Sequence, residues 1–439
     1  MKLAVDGRLA DLDETRRALW LERAPADARE VREATAAIVE RVRHEGDDAL
    51  LDLARRFDGV ALDALEVPRA AWDEARDGLA PDVRAALERA ARNIDTFHRA
   101  QIPGELVVEV EPGVVLGRRF VPLDVVGVYA PGGQAAYPSS VLMGAVPARA
   151  AGVREIVVCS PPAADGLPSP VVCAAAAVAG VTRLFAVGGA GAIAALAYGT
   201  RSVPRCGLVV GPGNRWVTEA KRQVAGDVRI DAPAGPSEVL VVAEGPADPA
   251  RIAAELVAQA EHDPDAVVVL VTPSAGLLDG VRAALARQVA TAPRRATVEA
   301  ALATRGALLL ADDLDQALEF AHAFAPEHLS LHTTDPARDL DRVSTAGTVF
   351  LGEGSSVAFG DYVTGANHVL PTAGAARAFS GLSTLDFLRS FTWQRIDAAA
   401  GARLAPVVEA LAAAEGLPAH AAAARLRQGA TSDLGGLAT

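Results

Sequence analysis

The chain has 439 residues, 51% of them hydrophobic but only 4% aromatic, with a formal net charge of −13 and a pI near 5.2. That length exceeds one ordinary core, so two or more domains are expected, and the Ala-, Val-, Leu- and Gly-rich composition favours helices on parallel sheets over a β-sandwich. The acidic balance argues against nucleic acid or an anionic membrane as partner, and no apolar run reaches the ~18–20 residues of a membrane span.

The opening MKLAVDGRLADLDE lacks the apolar core of a signal peptide, which makes a cytoplasmic location the expectation. After this arm (residues 1–25), residues 26–100 read as helices. Val31, Ile38, Val42, Leu50, Leu53 and Phe57 mark apolar faces, and a second amphipathic run covers 83–97. Strand-like runs follow at 106–110 and 125–129. From there to Ile230, strands at 155–159, 184–187 and 208–210 alternate with helices at 139–151, 170–179, 190–198 and 214–225. The pattern is a doubly wound α/β unit.

A Gly-Pro turn then leads through Ser237 and Glu238 into the apolar run 239–242, and the alternation restarts. Further strands are expected at 267–272, 307–310, 329–332 and 348–351, with a Gly-rich irregular segment at 352–381. Short helices at 403–414 and 419–427 form a tail with little core of its own, suited to docking on a second subunit. The expected fold class is therefore α/β, with two doubly wound Rossmann-like domains built on parallel-rich sheets. Residues 26–110 with 238–381 form the first domain and 111–237 the second. A helical tail (382–439) completes the chain.

Several side chains carry candidate chemistry. A helix from about Asp248 places Gln259 and His262 at i,i+3, a spacing that puts both on one face and could hold half of a metal site. Glu327 and His328 stand side by side at the start of a strand, where they can serve as general base and proton relay, or as a surface pair. Asp361 lies in the Gly-rich segment, with His368 nearby in a position suited to holding that loop. His420 follows Glu415 by five positions in the tail. With only Cys159, Cys173 and Cys206 present, a metal would have to draw on His, carboxylate and amide ligands. Cys159 or Cys206 could act as a nucleophile toward an aldehyde, or be a small buried hydrophobe. Gly189-x-Gly191-x-x-Ala194 approximates a dinucleotide fingerprint without the expected acid some twenty positions on, and is equally a tight strand-to-helix turn. Two more Gly-rich turns, 131–134 and 211–214, end strands where open sheets bind ligands.

Taken together, seven stretches resemble the histidinol dehydrogenase family. They are VYAPGGQAAYPSSVLMGAVPARAAGV, GPGNRWVTEAK, AGPSEVLVVA, AQAEHDPDA, FAPEHLSL, SSVAFGDYVTGANHVLPTAGAARAFSGLSTLDF and EGLPAH, in family order from about residue 110 to 428. The resemblance implies one zinc per subunit, held by Gln259, His262, Asp361 and His420, with a homodimer exchanging its tails so that His420 reaches in from the partner subunit. It implies that Glu327 activates water and His328 accepts a proton. Ser237 and Glu415 would contact the substrate together with His328 and the zinc ligands, Glu415 again across the dimer interface. Tyr129 and Asn214 would touch NAD. The implied reaction takes L-histidinol through L-histidinal to L-histidine with two NAD reduced in succession. The family usually reads GGAQAIAAL where this chain has Gly191, a position from which a side chain reaches the NAD and from which here the backbone alone could approach. Trp216 stands for the more usual Tyr. Other classes stay open: a zinc hydrolase on the same ligands with Glu327 as base, a zinc-binding paralogue that lost cofactor contact through Gly191, and a cysteine-based aldehyde dehydrogenase.

Overall fold

The computed structural model describes residues 2–23, 29–132, 136–232 and 235–428, in two compact units. The larger comprises Met1–Gln101 and Leu123–Phe387; the smaller comprises Ile102–Pro122 and Leu388–Thr439. The strands, in chain order, are β1 (Val5–Arg8), β2 (Leu106–Glu111), β3 (Val114–Pro122), β4 (Val125–Tyr129), β5 (Glu155–Ser160), β6 (Arg183–Ala186) and β7 (Leu208–Val210). They continue with β8 (Arg229–Ile230), β9 (Glu238–Ala243), β10 (Val267–Thr272), β11 (Gly306–Leu310), β12 (His328–His332), β13 (Thr348–Leu351) and β14 (Leu388–Ile396). Among the described residues no helix is long and apolar enough to cross a membrane.

Two parallel sheets build the larger unit. One runs β6-β5-β4-β7-β8; the other runs β11-β10-β9-β12-β13, with β1 added in parallel beside β11. Both cores share the order third, second, first, fourth, fifth, the doubly wound arrangement in which the chain reverses direction between its first and fourth strands. This is the α/β class that the sequence leads one to expect. Every residue of β9 and β10 is buried, because helices cover both faces of the sheet. Val239, Val241 and Ala243 pack against helices Pro249–Ala260 and Ala275–Thr291, while Leu240 and Val242 pack against Phe320 and Phe324 of helix Leu314–Phe324 on the other side. Alternate residues of a strand thus feed two separate cores, so the run is apolar throughout.

The grouping of segments differs from the one read off the sequence. The helices of residues 29–99 do not join the half that begins at Glu238; they lie on the β4–β8 half, where helix Arg29–Glu45 packs on helices Gly189–Tyr198 and Arg215–Val224. The segment at 65–67 bonds along β6, through Val67 N–H to Leu184 O (2.8 Å) and Ala186 N–H to Leu65 O (2.8 Å). The arm supplies a strand, β1, that extends the other sheet, and its expected boundary at 25 falls outside the described residues.

The smaller unit corrects the assignment of 106–110 to the first α/β domain and the wholly helical reading of 382–439. β2 pairs antiparallel with β3, and β3 with β14, in a sheet of order β14-β3-β2. Residues 382–387 belong to the larger unit. Helices Ala398–Ala414 and Pro418–Arg425 follow β14 and pack on each other, with Arg425 bonded to Glu409 at 2.8 Å.

Candidate active site

The mouth of β9 and β12 gathers the most chemistry. Glu327 immediately precedes β12 and His328 is its first residue, opposite Val239 of β9 and Thr348 of β13. Both side chains are buried and both are held by the peptide of Glu238. The Glu238 N–H donates to Glu327 Oε2 at 2.6 Å, and His328 Nδ1 lies 2.9 Å from Glu238 O. A carbonyl oxygen can only accept, so Nδ1 carries the hydrogen and Nε2 is left as a lone-pair base. Among the described residues that buried Nε2 has no hydrogen-bond partner, and it lies 3.7 Å from Asp361 Oδ1. Burial lowers the His328 pKa to about 4, so the ring stays neutral over the physiological range. Glu327 is pushed well above the usual carboxylate range, chiefly by burial, which outweighs the Glu238 hydrogen bond; the Glu238 and Asp361 carboxylates add to it.

Asp361 sits in a short helix, Val357–Tyr362, and not in irregular loop as expected. The helix has no capping side chain of its own at Ser356, and Glu255 supplies the missing acceptor from helix Pro249–Ala260, its Oε2 3.0 Å from Val357 N. Glu255 and Gln259 are i,i+4, so the face that docks on the Asp361 helix also carries Gln259. Gln259 is 3% exposed, and its Nε2 has no partner. His262 lies beyond the helix end, in the turn after Glu261, rather than on the helix face itself; its N–H still bonds Gln259 O at 3.3 Å. Its charge would bear on both His328 and His368. His368 Nδ1 donates to Asp361 O at 3.0 Å and ties the two ends of that segment together. Burial, and secondarily the Glu255 carboxylate, raises Asp361 to about 7. Ser237, half-buried, is the residue before β9.

Among the described residues, no three His, Cys, Asp or Glu side chains gather closely enough to hold a metal ion. The four residues expected as ligands are split: Gln259, His262 and Asp361 lie in the larger unit, His420 in the smaller. Glu415 caps the C-terminus of helix Ala398–Ala414, His420 lies in helix Pro418–Arg425, and both are exposed.

The Gly-rich turns end strands of the other sheet. Tyr129 closes β4 and is 4% exposed; its hydroxyl accepts from Gly189 N–H at 3.2 Å. Asn214 is exposed and caps helix Arg215–Val224, accepting from Trp216 N and Val217 N at 3.0 and 3.2 Å. Gly211, between them, has φ +117°, and a Cβ there would stand 2.1 Å from Tyr129 O, so only glycine fits. A buried ion pair clamps its peptide: Asp231 Oδ2 accepts from Gly211 N at 2.7 Å, and Lys221, paired with Asp231, donates to Gly211 O at 3.0 Å. The turn at 131–134 falls largely outside the described residues.

Gly191 is closely packed. It lies inside helix Gly189–Tyr198, where a Cβ would meet Leu53 Cδ1 at 3.0 Å and Leu50 Cδ2 at 3.3 Å. A side chain here would be directed at the helix Asp47–Leu53, so the glycine serves close helix packing. The thiols are buried, with Cys173 raised to about 11 and Cys159 and Cys206 pushed well above the usual thiol range, chiefly by burial, which is the environment of inert cysteines.

Sequence reasoning missed three residues. Glu238 orients both Glu327 and His328, Arg23 holds the Glu238 carboxylate (2.8 and 2.9 Å), and Asn367 donates to Met143 O at 2.7 Å. Met143 O is free because Pro147, four residues on and inside helix Pro138–Ala151, has no N–H to offer it. The Pro in an otherwise helical pattern was the one available signal.

Gly191→Gln is expected to lower stability by about 1–3 kcal/mol through overpacking against Leu50 and Leu53, seen as a fall in Tm by calorimetry. An unchanged Tm would mean that the helices leave room there.

Residues 21–428 match the family model described as Histidinol dehydrogenase. The histidinol dehydrogenase of Methanothermobacter thermautotrophicus is 46% identical over 420 residues, 96% of this chain and 99% of that protein. That of Natronomonas pharaonis is 50% identical over 414 residues, 94% and 97% of the two chains. The crystal structure of histidinol dehydrogenase from Elizabethkingia anophelis superposes with a TM-score of 0.92 at 33% identity, covering 97% of this chain and 98% of that one. The chain therefore belongs to the histidinol dehydrogenase family of oxidoreductases.

Proposed function

We propose that this enzyme oxidises L-histidinol through L-histidinal to L-histidine, reducing two NAD in succession, with one zinc ion per subunit. In this reading it works in the cytoplasm as a homodimer whose subunits share their active sites. The observation that carries the reading is the buried pair at the mouth of β12. His328 has its Nδ1 fixed by a carbonyl and its Nε2 open, and Glu327 stands beside it, held by the neighbouring N–H.

The donor set suits zinc, which accepts imidazole, carboxylate and neutral oxygen. Gln259, His262, Asp361 and His420 are the proposed ligands, with His420 and Glu415 supplied across the dimer interface. The upward push on Asp361 is a feature that a cation would relieve. Bound zinc would supply a Lewis-acid anchor for the amine and imidazole nitrogens of the substrate. NAD would accept the hydride, approached from Tyr129 and Asn214; Gly191 offers no side chain toward it.

The chain's own residues move the protons. His328 Nε2 takes the hydroxyl proton as the alcohol carbon is oxidised, while its bond to Glu238 O stabilises the imidazolium that results. The aldehyde must be hydrated before a second hydride can leave, and Glu327 deprotonates that water. Ser237, at the entrance of β9, contacts the substrate. No covalent sulfur step is needed.

Three measurements test this. Chelation should abolish NADH formation from histidinol, and zinc should restore it; turnover that survives removal of all metal would refute the ligand assignment. Glu327→Gln should slow oxidation of histidinal about 10²–10⁴-fold, the scale of a lost general base, and oxidation of histidinol less. Equal slowing of both would contradict the hydration role. Because Glu327 titrates above the usual carboxylate range and acts only when deprotonated, the histidinal rate should climb with pH across that raised range and fall on acidification. His328, at about 4, is already neutral there and sets no limit. A profile flat from the ordinary carboxylate range upward would exclude Glu327 as the base.

A further inference from the structure

The N-terminal segment carries a side chain, that of Arg23, buried as deeply as Glu327 and His328. Arg23 and Glu238 form an ion pair with side chains only 1% and 2% exposed. The guanidinium grips both carboxylate oxygens, Nε to Oε1 at 2.8 Å and Nη2 to Oε2 at 2.9 Å, the two-pronged geometry that lysine cannot reproduce. Its remaining contacts go to two carbonyls: Trp20 O at 2.6 Å, within its own segment, and Phe324 O at 2.9 Å. The guanidinium also lies 3.4 Å from the centre of the Phe324 ring.

Phe324 ends the helix before β12, and the next residue, Ala325, takes a left-handed turn (φ 50°) that delivers Pro326, Glu327 and His328. Arg23 therefore touches both approaches to the catalytic pair. On one side is the first residue of β9, whose peptide holds Glu327 and His328; on the other is the turn that carries them. Glu238 Oε1 also accepts from Ala373 N at 3.0 Å, which links the same carboxylate to the segment following His368.

We propose that Arg23 is a positioning residue for the Glu327–His328 pair. It acts through the Glu238 carboxylate: by compensating that charge it keeps the Glu238 peptide in place, and it shields Glu327 from a second buried anion. The proposal rests on the reading of Glu327 and His328 as the catalytic pair. A role confined to tying down the N-terminal segment would need only a good fit, and would be indifferent to the charge on residue 238.

The test compares Arg23→Met, Arg23→Lys, and Arg23→Met combined with Glu238→Gln, each as purified full-length protein reconstituted with zinc. Metal content, Tm, and kcat, KM and the pH profile with histidinol and histidinal are measured. Arg23→Met should retain zinc and lose up to about a hundredfold in kcat, as misplacement by about 1 Å does, with the rise of the histidinal profile moved to higher pH. Arg23→Lys, which keeps the charge and loses the fork, should fall between. Adding Glu238→Gln should recover part of the kcat and bring the profile back. Wild-type kcat and profile in Arg23→Met, or a double variant no better than the single, would overturn the proposal. If Arg23→Met does not fold, the lysine variant decides by the same profile: an unshifted profile with full kcat rejects the positioning role. Wild-type protein that forms no NADH would instead defeat the underlying reading of the site.

Discussion

The main chain of one residue holds the candidate chemistry in register. The N–H and C=O of Glu238 point from the first residue of β9 toward the neighbouring strand, where a parallel ladder would ordinarily use them for another backbone. Here they meet a carboxylate and an imidazole instead. The imidazole gains a defined tautomer and the carboxylate a fixed oxygen, both from main-chain groups. Such main-chain support is stiffer than a side chain could provide, and it depends on β9 being immobile. The fully buried strand, fed by helices on both faces, supplies that immobility.

The two halves of the larger unit use one strand order and opposite ends of it. In the β4–β8 sheet the Gly-rich turns follow the strands, at the carboxyl ends where open sheets bind ligands. In the β9–β13 sheet Glu327 and His328 stand at the amino ends, beside the last turn of a helix that runs back antiparallel. The buried Lys221–Asp231 pair sits where the chain leaves the first sheet for the second, and closes on the peptide of Gly211. Breaking one partner of such a pair leaves an uncompensated buried charge, at a cost of about 3–5 kcal/mol.

Much of this was legible in the sequence. Strands buried on both faces are continuous apolar runs, and β4, β7, β10 and β13 were placed with their observed bounds. Adjacency alone flagged Glu327 and His328. β3 and β14 were not legible: GVVLGRRFVP and LRSFTWQRI mix charge with apolar residues because their sheet is largely exposed, and β14 pairs with a strand distant in the chain. Arg23 could not be found at all, since its partner lies 215 positions away and a lone arginine in a polar arm carries no periodicity. Gly191 shows a different limit. The motif around it suggested a nucleotide, and nothing in it announced the approach of Leu50 and Leu53 to that position.

The proline in helix Pro138–Ala151 has a wider reach than its own helix. By withholding one N–H it leaves a carbonyl that Asn367, 224 positions later, occupies one residue before His368. A substitution of Pro147 would bring an N–H that competes with Asn367 as donor to that carbonyl. A lesion mapped to the half bearing Tyr129 and Asn214 would then present as a defect in how Asp361 is held. Mutations sorted by sequence region would be assigned to the wrong sheet, although the connection runs through the side chain of Asn367.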